Sequence, residues 1–113
     1  MHEMALCESM IEIIEREARE QQFSRVRAVW LEIGALSHVE PEAMRFCFSA
    51  VSRDSIAAGA AFEIVHVPGE AWCMACATTV AIAGRGEPCG RCGGHQLQVT
   101  AGEELRVKEL EVD

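Results

Sequence analysis

Two Cys-x-x-Cys pairs, separated by twelve residues, constrain this 113-residue chain more than any other feature. The pairs read Cys73-Met74-Ala75-Cys76 and Cys89-Gly90-Arg91-Cys92. Two residues between cysteines let one tight turn aim both sulfurs at a single ion, and two such turns complete a tetrahedron of sulfur around Zn²⁺. We therefore predict a structural zinc site whose ligands are Cys73, Cys76, Cys89 and Cys92.

Two other kinds of site use the same cysteine spacing. A redox-active Cys-x-x-Cys is one, but it usually accompanies a βαβ pattern that this sequence lacks. An iron–sulfur cluster is the other. A set of four cysteines leaves no open coordination position for water, and this favours a structural zinc ion over a catalytic one.

The charge of the chain narrows the range of partners. Its formal net charge is -8, which repels both nucleic acid and anionic lipid. The segment between residues 70 and 98 carries two Glu and two Arg, so it lacks the basic face of a nucleic-acid-binding ribbon. No apolar run approaches the roughly 20 residues of a membrane span, and the acidic start does not resemble a secretory signal. We expect a cytoplasmic protein with neither nucleic-acid nor membrane partners.

Hydrophobic periodicity predicts two helices. Apolar residues three and four apart indicate an amphipathic helix from Glu3 to about Gln21. Its predicted buried stripe consists of Leu6, Met10, Ile13, Ile14 and Ala18. A second amphipathic helix is predicted to begin at Pro41, a residue favoured in the first helical turn, and to end before Gly59. We interpret Cys7 and Cys47, which lie inside these helices, as core residues.

Segments rich in β-branched residues predict three strands at 26–34, 60–67 and 104–112. The predicted fold class is therefore α+β, with two helices on a small three-stranded sheet and an inserted zinc-ribbon-like domain that carries the four cysteines. We assign residues 1–69 plus 100–113 to the α/β domain and 70–99 to the zinc-binding domain. The sequence lacks a Ser/His/Asp set and a phosphate-binding loop, so we predict no enzymatic activity.

The chain begins Met1-His2-Glu3. A terminal amine, the following backbone amide and an imidazole on that same residue can all turn toward one ion. Such nitrogen donors suit Ni(II) and Cu(II), which favour square-planar coordination. On spacing alone, a solvated terminus without metal is the simpler alternative.

Several motifs together closely resemble the HypA/HybF family of hydrogenase maturation proteins. They are the Met-His-Glu start, the stretch WLEIGALSHVEPEAMRFCF, the two cysteine pairs and the final GEELRVKELEV, and they cover essentially the full chain. Members of that family are small nickel metallochaperones with a structural zinc site. They help to insert Ni(II) into the large subunit of nickel-iron hydrogenase, and they work with the GTPase HypB.

The resemblance implies specific roles for residues of this chain. His2 corresponds to the family's essential nickel ligand, and the amine of Met1 and the residue Glu3 are further candidates for the nickel site. Glu40 is expected in its vicinity. The implied partners are a HypB-type GTPase and the hydrogenase large subunit, with the chain itself a monomer or weak homodimer. The competing hypothesis is a zinc-ribbon adaptor that transports no metal and docks onto a basic protein.

Overall fold

A computed structural model describes residues 3–113, which form two helices and two three-stranded sheets. In chain order the elements are α1 (Glu3–Gln21), β1 (Val26–Gly34), α2 (Pro41–Val51), a 3-10 turn (Ser52–Asp54), β2 (Ala61–Val67), β3 (Glu70–Cys73), β4 (Thr78–Ala81), β5 (Leu97–Ala101) and β6 (Leu105–Val112). The first sheet has the strand order β2-β1-β6, and the second has the order β4-β3-β5. The predicted α+β class, both helices and the three strands of the first sheet are confirmed.

The described residues divide into two compact units. The helical unit comprises the described residues up to Leu31, together with Val39–Ile64 and Val107–Asp113. The cysteine unit comprises Glu32–His38 and Val65–Arg106. Both helices belong to the first unit, and all of β3, β4 and β5 belongs to the second.

Helix α1 buries a different stripe from the predicted one. Its buried residues are Cys7, Met10, Ile11, Ile14 and Ala18. Ile13, predicted to be in the core, is 46% exposed, and Leu6 is only half-buried. The apolar residues of α1 form two overlapping stripes at helical spacing. Helix α1 packs against α2 through the stripe that contains Cys7. The Cys7 thiol lies 3.6 Å from the carbonyl oxygen of Met44.

Helix α2 begins at Pro41, as predicted, directly after Glu40 as the N-cap residue. Met44 and Phe48 are its buried side chains, and the Phe48 ring stacks on Phe62 of β2 with the centroids 4.5 Å apart. Cys47 is only half-buried, so its predicted core role holds in part.

The second sheet was not predicted from the sequence. β3 pairs antiparallel with both β4 and β5, and Trp72 lies opposite Thr79 on one side and Gln98 on the other. The inward side chains join a small core made of Leu36, Ala71, Cys73, Val80, Ile82 and Cys89. These strands have only four or five residues each, too short for an alternating pattern to stand out in the sequence.

Glycines allow three chain segments to come together within the cysteine unit. A Cβ atom at Gly34 would overlap the carbonyl oxygen of Gly102, and one at Gly102 would lie 2.7 Å from the Cα of Gly69. Gly102 also has a φ of +108°, which L side chains rarely adopt. These contacts support hydrogen bonds from the amide of Leu36 to Gly102 and from that of Gly34 to Glu104, each 2.7 Å long.

Candidate metal centres

The four cysteines of the two Cys-x-x-Cys pairs come together in the cysteine unit. Their sulfur atoms all lie within 4.8 Å of one another. The Sγ atoms of Cys73 and Cys92 are 3.7 Å apart, and those of Cys76 and Cys89 are 4.0 Å apart. None of the four forms a disulfide. Each Cys-x-x-Cys pair therefore contributes one sulfur to the contact between Cys73 and Cys92 and one to the contact between Cys76 and Cys89.

The backbone of each turn points N–H groups at the sulfurs. The amide of Cys76 donates to the Sγ of Cys73 at 3.5 Å, and the amides of Arg91 and Gly94 donate to the Sγ atoms of Cys89 and Cys92 at 3.4 Å. The second turn closes through the amide of Cys89, which donates to the carbonyl oxygen of Gly94 at 2.8 Å. Donors of this kind stabilise negative charge on sulfur and orient it for a metal.

Hydrogen bonds within the cluster also shift the acidity of the thiols. Backbone N–H groups of Cys92 and Arg91 lower the pKa of Cys89 from 9.0 to about 6. The pKa of Cys76 rises to about 12, chiefly because of its hydrogen bond with Cys92. The cluster thus combines a favoured thiolate at Cys89 with a thiol at Cys76 that keeps its proton in a hydrogen bond with a neighbouring sulfur. A bound cation would take the place of such a proton, because positive charge favours the thiolate form.

A zinc ion fits this arrangement of donors. Sulfurs about 2.3 Å from Zn²⁺ in a tetrahedron are about 3.8 Å apart, close to the two measured separations of 3.7 and 4.0 Å. Cys73 and Cys89 are buried while Cys92 is exposed, so the cluster lies at the edge of a core rather than deep within it. The geometry suits a structural site without an open coordination position.

Two of the nickel residues implied by the resemblance, Glu3 and Glu40, lie in the helical unit. Met1 and His2 lie outside the described residues. Glu3 begins α1, and its Oε2 accepts a hydrogen bond of 3.4 Å from the backbone amide of Glu40. The structure thus brings together the two carboxylate residues, although they are 37 positions apart in the sequence.

Glu40 has a local role that the sequence analysis did not identify. Its exposed carboxylate accepts a hydrogen bond of 3.1 Å from the amide of Glu42 and so caps α2. The signal for this role was its position directly before Pro41, since proline is common in the first helical turn. The sulfur-directed amides of Arg91 and Gly94 were also missed, although each lies two residues after a metal-spaced cysteine.

Among the described residues, no other cysteine or histidine joins the four-cysteine cluster. Within residues 3–113, the four zinc-spaced cysteines are the one group of three or more His, Cys, Asp or Glu residues close enough to share an ion. His38 and His66 are exposed, in a turn and on β2 respectively. Cys7 is fully buried, and this burial raises the pKa of its thiol to about 11. No helix in this part of the chain is long and apolar enough to cross a bilayer.

The fold and the cysteine cluster define a class of protein: a small metal-binding α+β protein with a four-cysteine module. A family model described as "Hydrogenase/urease nickel incorporation, metallochaperone, hypA" matches residues 1–112. The chain belongs to this HypA family.

Individual relatives support the same assignment. The chain is 79% identical to the hydrogenase maturation factor HypA of Rhodopseudomonas palustris strain BisA53 and 62% identical to that of Bradyrhizobium sp. strain ORS 278, and each match covers all of both chains. The solution structure of the Ni metallochaperone HypA from Helicobacter pylori has a similar fold, with a TM-score of 0.70 and 24% identity. That match covers 99% of this chain and 97% of the other.

Proposed function

We propose that this protein is a nickel metallochaperone that binds Ni(II) at its amino terminus and delivers it for the maturation of nickel-iron hydrogenase. The observation that carries the proposal is the match to a nickel-incorporation family over residues 1–112 by a chain that begins Met-His-Glu. Nickel is the cargo in this scheme, and the imidazole of His2 is its principal ligand. The amine of Met1 supplies a second nitrogen donor.

The contacts of Glu3 suggest how this terminus is positioned. Glu3 opens α1, and its carboxylate is held by the amide of Glu40 at the start of α2. This link ties the start of α1 to the capped start of α2. In the proposed site, Glu3 positions the nickel-binding terminus and Glu40 lies close to the metal without the need to bind it directly.

A terminal site with few protein ligands suits a protein that must release its ion. Imidazole binds metals only when neutral, and coordination by a backbone amide expels a further proton. Nickel affinity should therefore fall as the pH drops through the range in which histidine protonates. Transfer of nickel to the acceptor protein is then easiest when the histidine is protonated or when one of the nickel ligands has already dissociated.

We further propose that the four cysteines hold a structural zinc ion. The two sulfur contacts and the three N–H donors provide the geometry that such an ion requires. Residues 70–99 would then form the zinc-binding domain, and residues 1–69 plus 100–113 the nickel-binding domain. We place the protein in the cytoplasm, where its partners would be a HypB-type GTPase and the hydrogenase large subunit.

Titration of the untagged, zinc-loaded protein with Ni(II) tests this function. Calorimetry should detect one nickel site beyond the zinc site, and His2→Ala should abolish it while the amide spectrum of the cysteine unit stays native. His66→Ala is a matched control, because His66 is an exposed histidine on β2. Undiminished nickel binding by His2→Ala would refute the proposed site. Absence of any additional site in the parent protein would favour the adaptor hypothesis instead.

A further inference from the structure

A shallow groove lies on the helical unit beside the end of α2 and the start of β2. Its cavity volume is about 170 Å³, enough for one or two side chains of a ligand. We call it the arginine groove, because two of its lining residues are arginines. Its main lining residues are Arg45, Phe48, Ser49, Ser52, Arg53 and Phe62.

The floor of the arginine groove is apolar and well ordered by its contacts. Phe48 is 2% exposed, and its ring stacks on Phe62 at an interplanar angle of 21°. The loop that forms one wall is braced internally, since Ser55 donates to the carbonyl oxygen of Ser52 through both its amide and its hydroxyl. Such a preformed surface loses little conformational entropy when a ligand binds.

The charge of this groove differs from that of its surroundings. The residues that line it include two arginines and no carboxylate, although the chain as a whole carries a net charge of -8. Two other grooves of the same unit are each lined by a glutamate: Glu15 beside Arg19 in one, and Glu17 in the other. Glu42 offsets the charge of Arg45, so the arginine groove carries the positive charge of Arg53, unpaired among the described residues, on an acidic protein.

The two arginines have different roles. Arg45 donates a hydrogen bond of 2.7 Å to the carbonyl oxygen of Phe62 and lies 3.5 Å from the carboxylate of Glu42, so its guanidinium forms part of the wall. Arg53 is exposed and makes no ion pair with any other residue in the range 3–113. Its five N–H donors are therefore available to an anionic group, and a carboxylate matches their geometry.

We propose that the arginine groove binds an acidic peptide segment of a partner protein. An apolar side chain of the segment packs against the half-buried ring of Phe62, which stacks on the buried Phe48. A neighbouring carboxylate of the segment pairs with Arg53. The combination of an apolar floor and a cationic rim selects a peptide in which the two kinds of side chain are adjacent. This docking surface uses none of the proposed nickel ligands and goes beyond the proposed metal delivery.

The net charge of the chain restricts which acidic partners bind. Long-range repulsion opposes an extended acidic surface, whereas a short acidic segment gains the local contact with Arg53. Salt screens the repulsion over about 10 Å at 0.1 M ionic strength. Binding should therefore depend on the arginine far more than on the overall charge of the peptide.

A synthetic peptide tests this proposal on the full-length, zinc-loaded protein. The probe is acetyl-Gly-Asp-Phe-Asp-Gly-amide, titrated into the ¹⁵N-labelled protein, and the control peptide has Asn in place of both Asp residues. Amide shifts should centre on Phe48, Ser52, Arg53 and Phe62, and the control peptide should bind at least about tenfold more weakly. Arg53→Gln should lose a similar factor.

Matched variants test whether a loss of peptide affinity is specific to Arg53 or follows from the removal of any surface arginine. Arg16→Gln removes an exposed arginine of α1 and should change the peptide affinity by less than about twofold. Arg53→Lys keeps the charge but loses the planar fork, so its affinity should lie between those of the parent and Arg53→Gln. Nickel binding by Arg53→Gln should equal that of the parent, which keeps a failure here distinct from a failure of the proposed function.

Three outcomes would overturn the proposal. The first is equal binding of the Asp and Asn peptides, and the second is an unchanged affinity in Arg53→Gln. The third is saturation of the same amides by inorganic phosphate at lower concentrations than the peptide, which would make the groove a phosphate site. Native amide dispersion in each variant confirms that the comparison concerns folded protein.

Discussion

The two units of this protein fill their interiors with different chemistry. The helical unit buries hydrocarbon, with Ile14, Leu31 and Met44 among its largest fully buried side chains. The core of the cysteine unit has six buried residues, and two of them, Cys73 and Cys89, belong to the sulfur cluster. A hydrocarbon core is stable by its own burial, whereas a core that contains metal ligands gains stability from the ion. The difference predicts that the two units respond separately to metal removal.

Removal of the proposed zinc ion should produce the largest effect. Apparent free energies of zinc binding in small four-ligand modules are about 10–16 kcal/mol, more than a core of this size supplies. A strong chelator should therefore abolish the amide dispersion of the cysteine unit in an NMR spectrum, while the amides of α1 and α2 keep native positions.

Single cysteine variants sharpen the same test. Cys73→Ala removes a buried residue that belongs to both the core and the cluster, so it should reproduce the effect of chelation. Cys47→Ala, which removes a half-buried thiol from the helical unit, should leave the zinc content unchanged. A chelated protein with a fully native spectrum would mean that the cysteine unit folds on burial alone.

This contrast also explains which features could be predicted from the sequence. The cysteine spacing identified the cluster, because a Cys-x-x-Cys turn is a local structure. The helices followed from hydrophobic periodicity, and the long strands followed from segments rich in β-branched residues. The second sheet did not, because its strands are short and Leu36, which belongs to the same core, comes from a distant part of the chain. The link between Glu3 and Glu40 likewise depends on tertiary packing, and no local pattern encodes it.

Truncation of the hydrocarbon core should give the next largest effect. Ile14 is 1% exposed, so Ile14→Ala should lower the free energy of unfolding by about 2–5 kcal/mol. Ile13→Ala is the matched control on the same helix. Because Ile13 is 46% exposed, its truncation should cost less than about 1 kcal/mol. Urea unfolding of the zinc-loaded proteins measures both, and equal losses would contradict the observed face of α1.

A glycine substitution should give a smaller loss, confined to the cysteine unit. A Cβ atom at Gly34 would overlap the carbonyl oxygen of Gly102 and lie 2.7 Å from the amide nitrogen of Glu104. Gly34→Ala should therefore cost about 1–3 kcal/mol, the usual range for overpacking. Gly84→Ala meets no atom within 4 Å and should change stability by less than about 0.5 kcal/mol. Native-state hydrogen exchange of β3 and β5 distinguishes the two variants.

The smallest predicted effect concerns cysteine, whose thiol pKa is shifted in opposite directions at Cys7 of the helical unit and Cys89 of the cysteine unit. Burial in the helical unit raises the pKa of Cys7 from 9.0 to about 11, and the nearby Cys47 and Glu3 act in the same direction. Backbone amides in the cysteine unit lower the pKa of Cys89 to about 6. The native state thus keeps the Cys7 proton to higher pH than the unfolded chain does. Its contribution to stability is complete below about pH 9 and is lost as the pH rises toward 11.

Urea unfolding at pH 8, 9 and 10 should therefore show a decline in the stability of the parent relative to that of Cys7→Val, because valine fills a similar volume and does not titrate. Cys47→Ser is the control, and most of the decline should persist in it because burial is the main cause of the Cys7 shift. Thiolates bound to zinc in the folded protein take up protons when unfolding releases the ion at pH 8 to 9, so the cysteine unit adds a rise in stability with pH that the parent and both variants share. The contribution of Cys7 is therefore the difference between the slopes of the parent and Cys7→Val. Identical slopes of unfolding free energy against pH in the parent and Cys7→Val would show that the buried Cys7 thiol does not contribute to the pH dependence of stability. The contrast between the two cysteine environments would then be refuted.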